Sequence, residues 1–165
     1  FWEWAEFDAE HFYDSRPAYS VGHGGTPYES IAKVPIIYEN IEFSSNLCST
    51  IDIHPTLLSV NNIQVEKNAT GLSHTDNYPT DRKLLIEGAR YGYEKKAVYE
   101  NDIKLIHSKG DKETISFNIP DETVTKIPAE RVEKLKDEFP LWPQGGEVRK
   151  VNKNVQNRLE SLGYK

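Results

Sequence analysis

Four short segments follow one another between residues 84 and 119, and they constrain the fold more than any other feature: 84–89 (LLIEGA), 95–100 (KKAVYE), 103–107 (IKLIH) and 114–119 (TISFNI). Their gaps consist of turn formers at 90–94, at Asn101-Asp102 and at Lys109-Gly110-Asp111. Short strands joined by such turns form an antiparallel meander. Two helices are expected after it. Residues 128–139 (PAERVEKLKDEF) place Pro at a helix start and Val132, Leu135 and Phe139 on one face. Residues 147–162 carry Val148, Val151, Val155, Leu159 and Leu162 at steps of three or four, and Gly163 supplies a stop. The intervening 140–146 (PLWPQGG) breaks the helix.

Upstream of the meander the pattern is different. Residues 1–30 mix aromatics with acids and contain Gly22-His23-Gly24-Gly25. Residues 31–38 (IAKVPIIY) form a short apolar, β-branched run expected to be a strand buried on both faces, although Pro35 removes one ladder donor. Residues 49–60 (STIDIHPTLLSV) predict a helix with Thr50 or Asp52 as N-cap and Pro55 in its first turn. The polar, turn-rich stretch 61–82 reads as a surface connection.

At 165 residues the chain is long enough for one ordinary domain. With 37% hydrophobic and 28% charged residues it is too polar for a membrane span, and with 11% aromatic residues it is too aromatic for a disordered chain. Twenty Lys and Arg stand against 26 Asp and Glu, a formal charge of −6. That balance leaves no basic field for nucleic acid or an anionic membrane. A single cysteine, Cys48, rules out an intrachain disulfide framework and a cysteine-based metal cage. The chain opens on Phe1 with no basic segment and apolar run, so it is expected to be a piece of a longer protein.

The five histidines, at 11, 23, 54, 74 and 107, are the candidates for acid–base or metal chemistry. No pair has the spacing of a helical His-x-x-x-His zinc site, so no metal site is encoded locally. His54, His11, His74 and His107 read as structural or surface residues. His23 differs, because Gly22, Gly24 and Gly25 allow unusual φ values and close backbone approach on a tight loop that presents an imidazole to a ligand. Cys48 has no base beside it in sequence and reads as a small buried hydrophobe.

Several blocks share their order with one known family. Residues 22–37 (GHGGTPYESIAKVPII) resemble the sulfatase branch of the alkaline phosphatase superfamily, in which a glycine-flanked His or Lys precedes a Tyr-Glu pair, a basic residue and Val-Pro with an apolar strand. Residues 49–58 (STIDIHPTLL) look like that family's S-T-x-D-I-x-P-T-L-L helix, and Gly71-Leu72-Ser73 is similar to its G-x-S turn. The strands from Lys96 to Asp121 and the ending 158–164 (RLESLGY) look like its closing elements. The resemblance runs over nearly the whole chain from Gly22. Two departures accompany it: the nucleophile motif Cys/Ser-x-Pro/Ala-x-Arg is missing, since Thr50 and Asp52 stand at the diagnostic positions after Cys48, and the acidic metal motifs are missing as well.

The resemblance implies an α/β fold, with the edge of an alkaline-phosphatase-like sheet over residues 1–70 and a small C-terminal subdomain over 71–165. That subdomain is expected to be an antiparallel sheet of about four strands with C-terminal helices. It implies a sulfuric ester hydrolase whose N-terminal half supplies a formylglycine nucleophile and the ligands of a divalent ion, usually calcium. The partners implied are a small sulfated substrate and that N-terminal half. His23 takes the position of the family's His or Lys, which contacts a sulfate oxygen and so has both a catalytic and a substrate-binding role. Arg16, Glu29 and Lys33 lie near it in sequence and are expected to be structural. A phosphodiester or phosphonate hydrolase of the same superfamily and a non-catalytic interaction module are the alternatives.

Overall fold

Alternation along the meander sends successive side chains to opposite faces, and both faces find cover. In the computed structural model, which describes residues 10–15, 24–41, 47–75, 78–87 and 91–140, the strands are β1 (Lys83–Ile86), β2 (Lys95–Glu100), β3 (Ile103–Ser108), β4 (Glu113–Asn118) and β5 (Thr123–Thr125). They form one five-stranded sheet in the order β1-β2-β3-β4-β5, each neighbour antiparallel. The expected meander is therefore present, with β5 as an added strand. Asn101, in the tight β2–β3 turn, takes left-handed backbone (φ 52°), a conformation that Asn tolerates.

Register explains the two cores. Ile86, Ala97, Ile106 and Ile115 pair across β1 to β4, and with Phe117 they make one apolar face on which Phe12 and Tyr28 lie. Tyr28 meets Phe117 edge to face, with centroids 6.0 Å apart and planes at 83°, the arrangement that ring quadrupoles favour. The opposite face carries Val98 and Leu105 beneath Leu135 of helix α3 (Ala129–Lys136), flanked by Ile103, Ile127, Val132 and Phe139. We number the preceding helices α1 (Glu29–Ala32) and α2 (Ile53–Val60). Ion pairs tie α3 and the residues after it to the sheet: Arg131 lies 2.9 Å from Glu100, and Lys83 reaches both Glu100 and Glu138, two residues beyond the helix. Pro128 stands at the N-cap of α3, just outside its first turn.

A 3₁₀ turn, Thr50–Asp52, leads into α2, as the helical spacing of 49–60 predicts. The expectation for 31–38 is overturned. Instead of a strand, Ile31 and Ala32 donate their N–H groups to the Tyr28 carbonyl and close the single turn of α1. Residues 33–38 have no regular structure, and Ile37 is 92% exposed. The reason is local: Glu29 is tied to the sheet, which starts a helical turn, and no strand among the described residues offers 33–38 a ladder. The expected helix over 147–162 lies outside the described residues.

Phe117 in one core and Leu135 in the other are fully buried. Truncating Phe117 or Leu135 to alanine should lower stability by about 2–5 kcal/mol, read as a shift in the urea midpoint. A loss under about 1 kcal/mol at both positions would contradict this packing.

Candidate functional site

His23 lies outside the described residues, so the site is built from the segment that follows it. Gly24 takes left-handed backbone (φ 87°), which glycine adopts without steric cost. Gly25, Thr26, Pro27 and Tyr28 are then all buried, and Glu29 ends the segment on the sheet. Its backbone N–H donates to Glu122 Oε1 at 2.8 Å, and its Oε1 accepts from Lys104 Nζ at 3.0 Å and from the Tyr99 hydroxyl at 2.5 Å.

Lys104 is fully buried in the middle of β3 and also donates to Glu122 Oε1 at 2.9 Å, with its Nζ 5.3 Å from the Tyr99 ring centroid. A buried ammonium is tolerated only when paired and hydrogen-bonded, and here two carboxylates face it. Glu122 holds its position in left-handed backbone (φ 51°), uncommon for a glutamate. Burial pushes the Tyr99 phenol well up, and the Glu29 carboxylate adds to it, so Tyr99 remains a donor. Glu29 is thus structural, as expected, and anchors the chain six residues after His23.

A second cluster gathers around Asp52, at the junction of the 3₁₀ turn and α2. Its side chain is fully buried: Oδ1 accepts from Leu72 N–H at 2.9 Å, while Oδ2 accepts from Ser49 N–H at 2.9 Å, Tyr78 hydroxyl at 2.9 Å and Arg82 Nη1 at 2.6 Å. Arg82 also donates to the Tyr78 hydroxyl. Burial works to raise the Asp52 carboxyl, but the Arg82 guanidinium and the three other donors outweigh it and hold it below the ordinary carboxylate range. The Tyr78 phenol is pushed up to about 12 by burial and by its bond to Asp52.

Four positions beyond Asp52, Thr56 is on the same helical face and accepts His74 N–H at 3.1 Å while donating to the Asp52 carbonyl at 2.6 Å. Gly71 lies against the 3₁₀ turn, where a Cβ would collide with the Ile51 carbonyl. The S-T-x-D-I-x-P-T block and the G-x-S turn, distant in sequence, are therefore one packed unit. The stretch 61–82 is accordingly more than the surface connection expected, since Gly71, Ser73, His74 and Tyr78 within it are buried.

The other candidates are dispersed. His54 and Lys33 are exposed; His11 lies 4.0 Å from Glu113; and Arg16 falls outside the described residues. His107 Nδ1 sits 2.9 Å from Thr114 Oγ1, with its ring stacked on Phe139, and burial lowers its basicity. Cys48 is half-buried, and burial together with the nearby Asp52 carboxylate pushes its thiol up, the reverse of what a nucleophile needs. Among the described residues, no group of three or more His, Cys, Asp or Glu could hold a metal ion. A divalent ion would have no ligand set in them. No helix among the described residues is long and apolar enough to cross a membrane.

Lys104 carries no local sequence signature, whereas Asp52 stands at the helix start expected from the sequence, where it accepts Ser49 N–H. A lysine in a strand reads as solvent-facing, and its partner Glu29 is 75 positions away. The chain matches no protein-family model and no curated protein.

Asp52→Ala would leave the Arg82 guanidinium without its carboxylate. Stability should fall by about 3–5 kcal/mol, measured by urea denaturation, and Gly71→Ala should be destabilising for the separate reason of backbone collision. A near-neutral Asp52→Ala would refute the cluster's structural role.

Proposed function

We propose that this chain is the C-terminal part of a sulfatase-type sulfuric ester hydrolase, in which His23 presents an N–H donor to an oxygen of the sulfate group. The observation that carries the reading is the anchoring just after His23. A left-handed Gly24, a buried run through Tyr28 and a Glu29 held by Lys104 and Glu122 give the glycine-rich loop a fixed C-terminal end. A donor stabilises a developing oxyanion only if it is aimed before the reaction, and a loop rooted in a buried ion pair meets that requirement.

The nucleophile, a formylglycine in the resembling family, and the divalent ion both belong to an N-terminal half that this chain does not contain. Such a half also accounts for the apolar surface. Helix α2 (IHPTLLSV) leaves Leu57 and Val60 exposed, and Val34 and Ile37 are exposed as well. In this reading the small substrate is a sulfate ester, and the N-terminal half covers these residues.

In the full protein, His23→Ala should lower turnover of an aryl or sugar sulfate by about 10²–10³ with an unchanged melting curve. A loss below tenfold would overturn the role of His23. Turnover of a phosphate diester in place of any sulfate ester would move the assignment to the phosphodiesterase branch.

A further inference from the structure

His74 lies between two charged neighbours inside the Asp52 cluster. Its ring is 2% exposed and nearly parallel to Tyr78, with centroids 4.6 Å apart and an angle of 15°, while Tyr38 covers it from the 33–38 segment at 6.4 Å. Nε2 is 3.8 Å from Asp52 Oδ2. The groups that face the imidazole are therefore Asp52 from the start of α2, Tyr78 and Arg82 from the approach to β1, and Tyr38, with Cys48 close to Tyr38 and Asp52. Within this set stand one carboxylate and one guanidinium, already joined at 2.6 Å. An imidazolium would be a second buried cation opposite a carboxylate that already accepts four hydrogen bonds.

We propose that protonation of His74 releases Leu72, His74, Tyr78 and Arg82 from the start of α2 while the five-stranded sheet stays closed. His74 is an acid-operated latch. These residues are attached through Leu72 N–H on Asp52, His74 N–H on Thr56, the Tyr78 and Arg82 side chains on Asp52, and the Tyr78 hydroxyl on the Leu47 carbonyl. The sheet is held independently by its own ladders and by α3, so the two can separate as units of different stability.

The sign follows from linkage. Burial lowers the affinity of His74 for a proton in the closed form; Asp52 opposes this, and Arg82 adds to it. In the opened form the imidazole regains its ordinary value near 6.5. Opening is therefore unaffected above that value and grows more favourable as the pH falls below it, by at most about tenfold per pH unit, until the closed form also binds the proton.

Amide hydrogen exchange of the full protein at pH 7.5 and pH 5.0, corrected for the intrinsic pH dependence of exchange, tests the latch. Protection of peptides spanning 71–82 should fall at pH 5.0, by at most about tenfold for each pH unit below 6.5, while peptides from β3 and β4 hold theirs, and His74→Gln should remove the difference. Unchanged protection at 71–82, an equal loss across the sheet, or a fall that persists in His74→Gln would overturn the proposal. Should His74→Gln fail to protect the sheet even at pH 7.5, the wild-type His74 imidazole is titrated by NMR instead. A midpoint below 6.5 supports the latch, and one at or above it overturns it.

Discussion

The contact between Lys104 and the pair Glu29 and Glu122 is the constraint on which the rest of the arrangement depends. Lys104 is fully buried on a central strand, on the same face as Tyr99 and Phe117, where an unpaired charge would cost several kcal/mol. Its two acceptors come from opposite ends of the described chain. Glu29 arrives from the segment that crosses the sheet, and Glu122 from the β4–β5 turn, so satisfying one ammonium fixes both. Once Glu29 is placed, Tyr28 must lie over Phe117, and the apolar face of the sheet closes. The cost of holding Glu122 in left-handed backbone, of order 1–2 kcal/mol, is offset by two hydrogen bonds to charged or backbone donors on its carboxylate.

The Asp52 cluster solves a similar problem by a different route. There a buried carboxylate collects backbone N–H groups from Ser49 and Leu72 as well as the Tyr78 hydroxyl and the Arg82 guanidinium. Both clusters join segments that are remote in sequence through a buried charge. They differ in what they hold: one fixes a loop to a sheet, whereas the other closes a polar connection onto the start of a helix. If the chain belongs to a sulfatase-type hydrolase, as proposed, the first cluster supports the loop that bears His23, and the second fixes the start of α2.

Much of the fold was legible in the sequence because its signals are local. The bounds of β2 coincide with the expected segment, β3 runs one residue further and β4 starts and ends one residue earlier, since turn formers delimit each one. β5 was missed because three residues, Thr123–Thr125, are too few to show a period, and two of them are exposed. The strand expected over 31–38 failed for the opposite reason: an apolar run signals that a surface needs cover, but not whether a ladder or a neighbouring body supplies it. Site residues were less legible. The sequence offers Asp52 as a possible cap within the S-T-x-D-I-x-P-T-L-L block and His74 as a surface or structural histidine. Their partnership depends on Gly71 allowing the turn to approach the Ile51 carbonyl, a contact between blocks twenty residues apart that no periodicity reveals.

The central claim is that Lys104 and Glu29 act as one unit in fixing the crossing segment to the sheet, and a double-mutant cycle measures this directly. Urea denaturation of Glu29→Gln, Lys104→Met and the double variant gives the coupling between the two sites. The account predicts a coupling of about 1.5 kcal/mol or more, with the double variant less destabilised than the sum of the singles. Additivity within about 0.5 kcal/mol would show that the two side chains do not depend on each other, and would contradict the account.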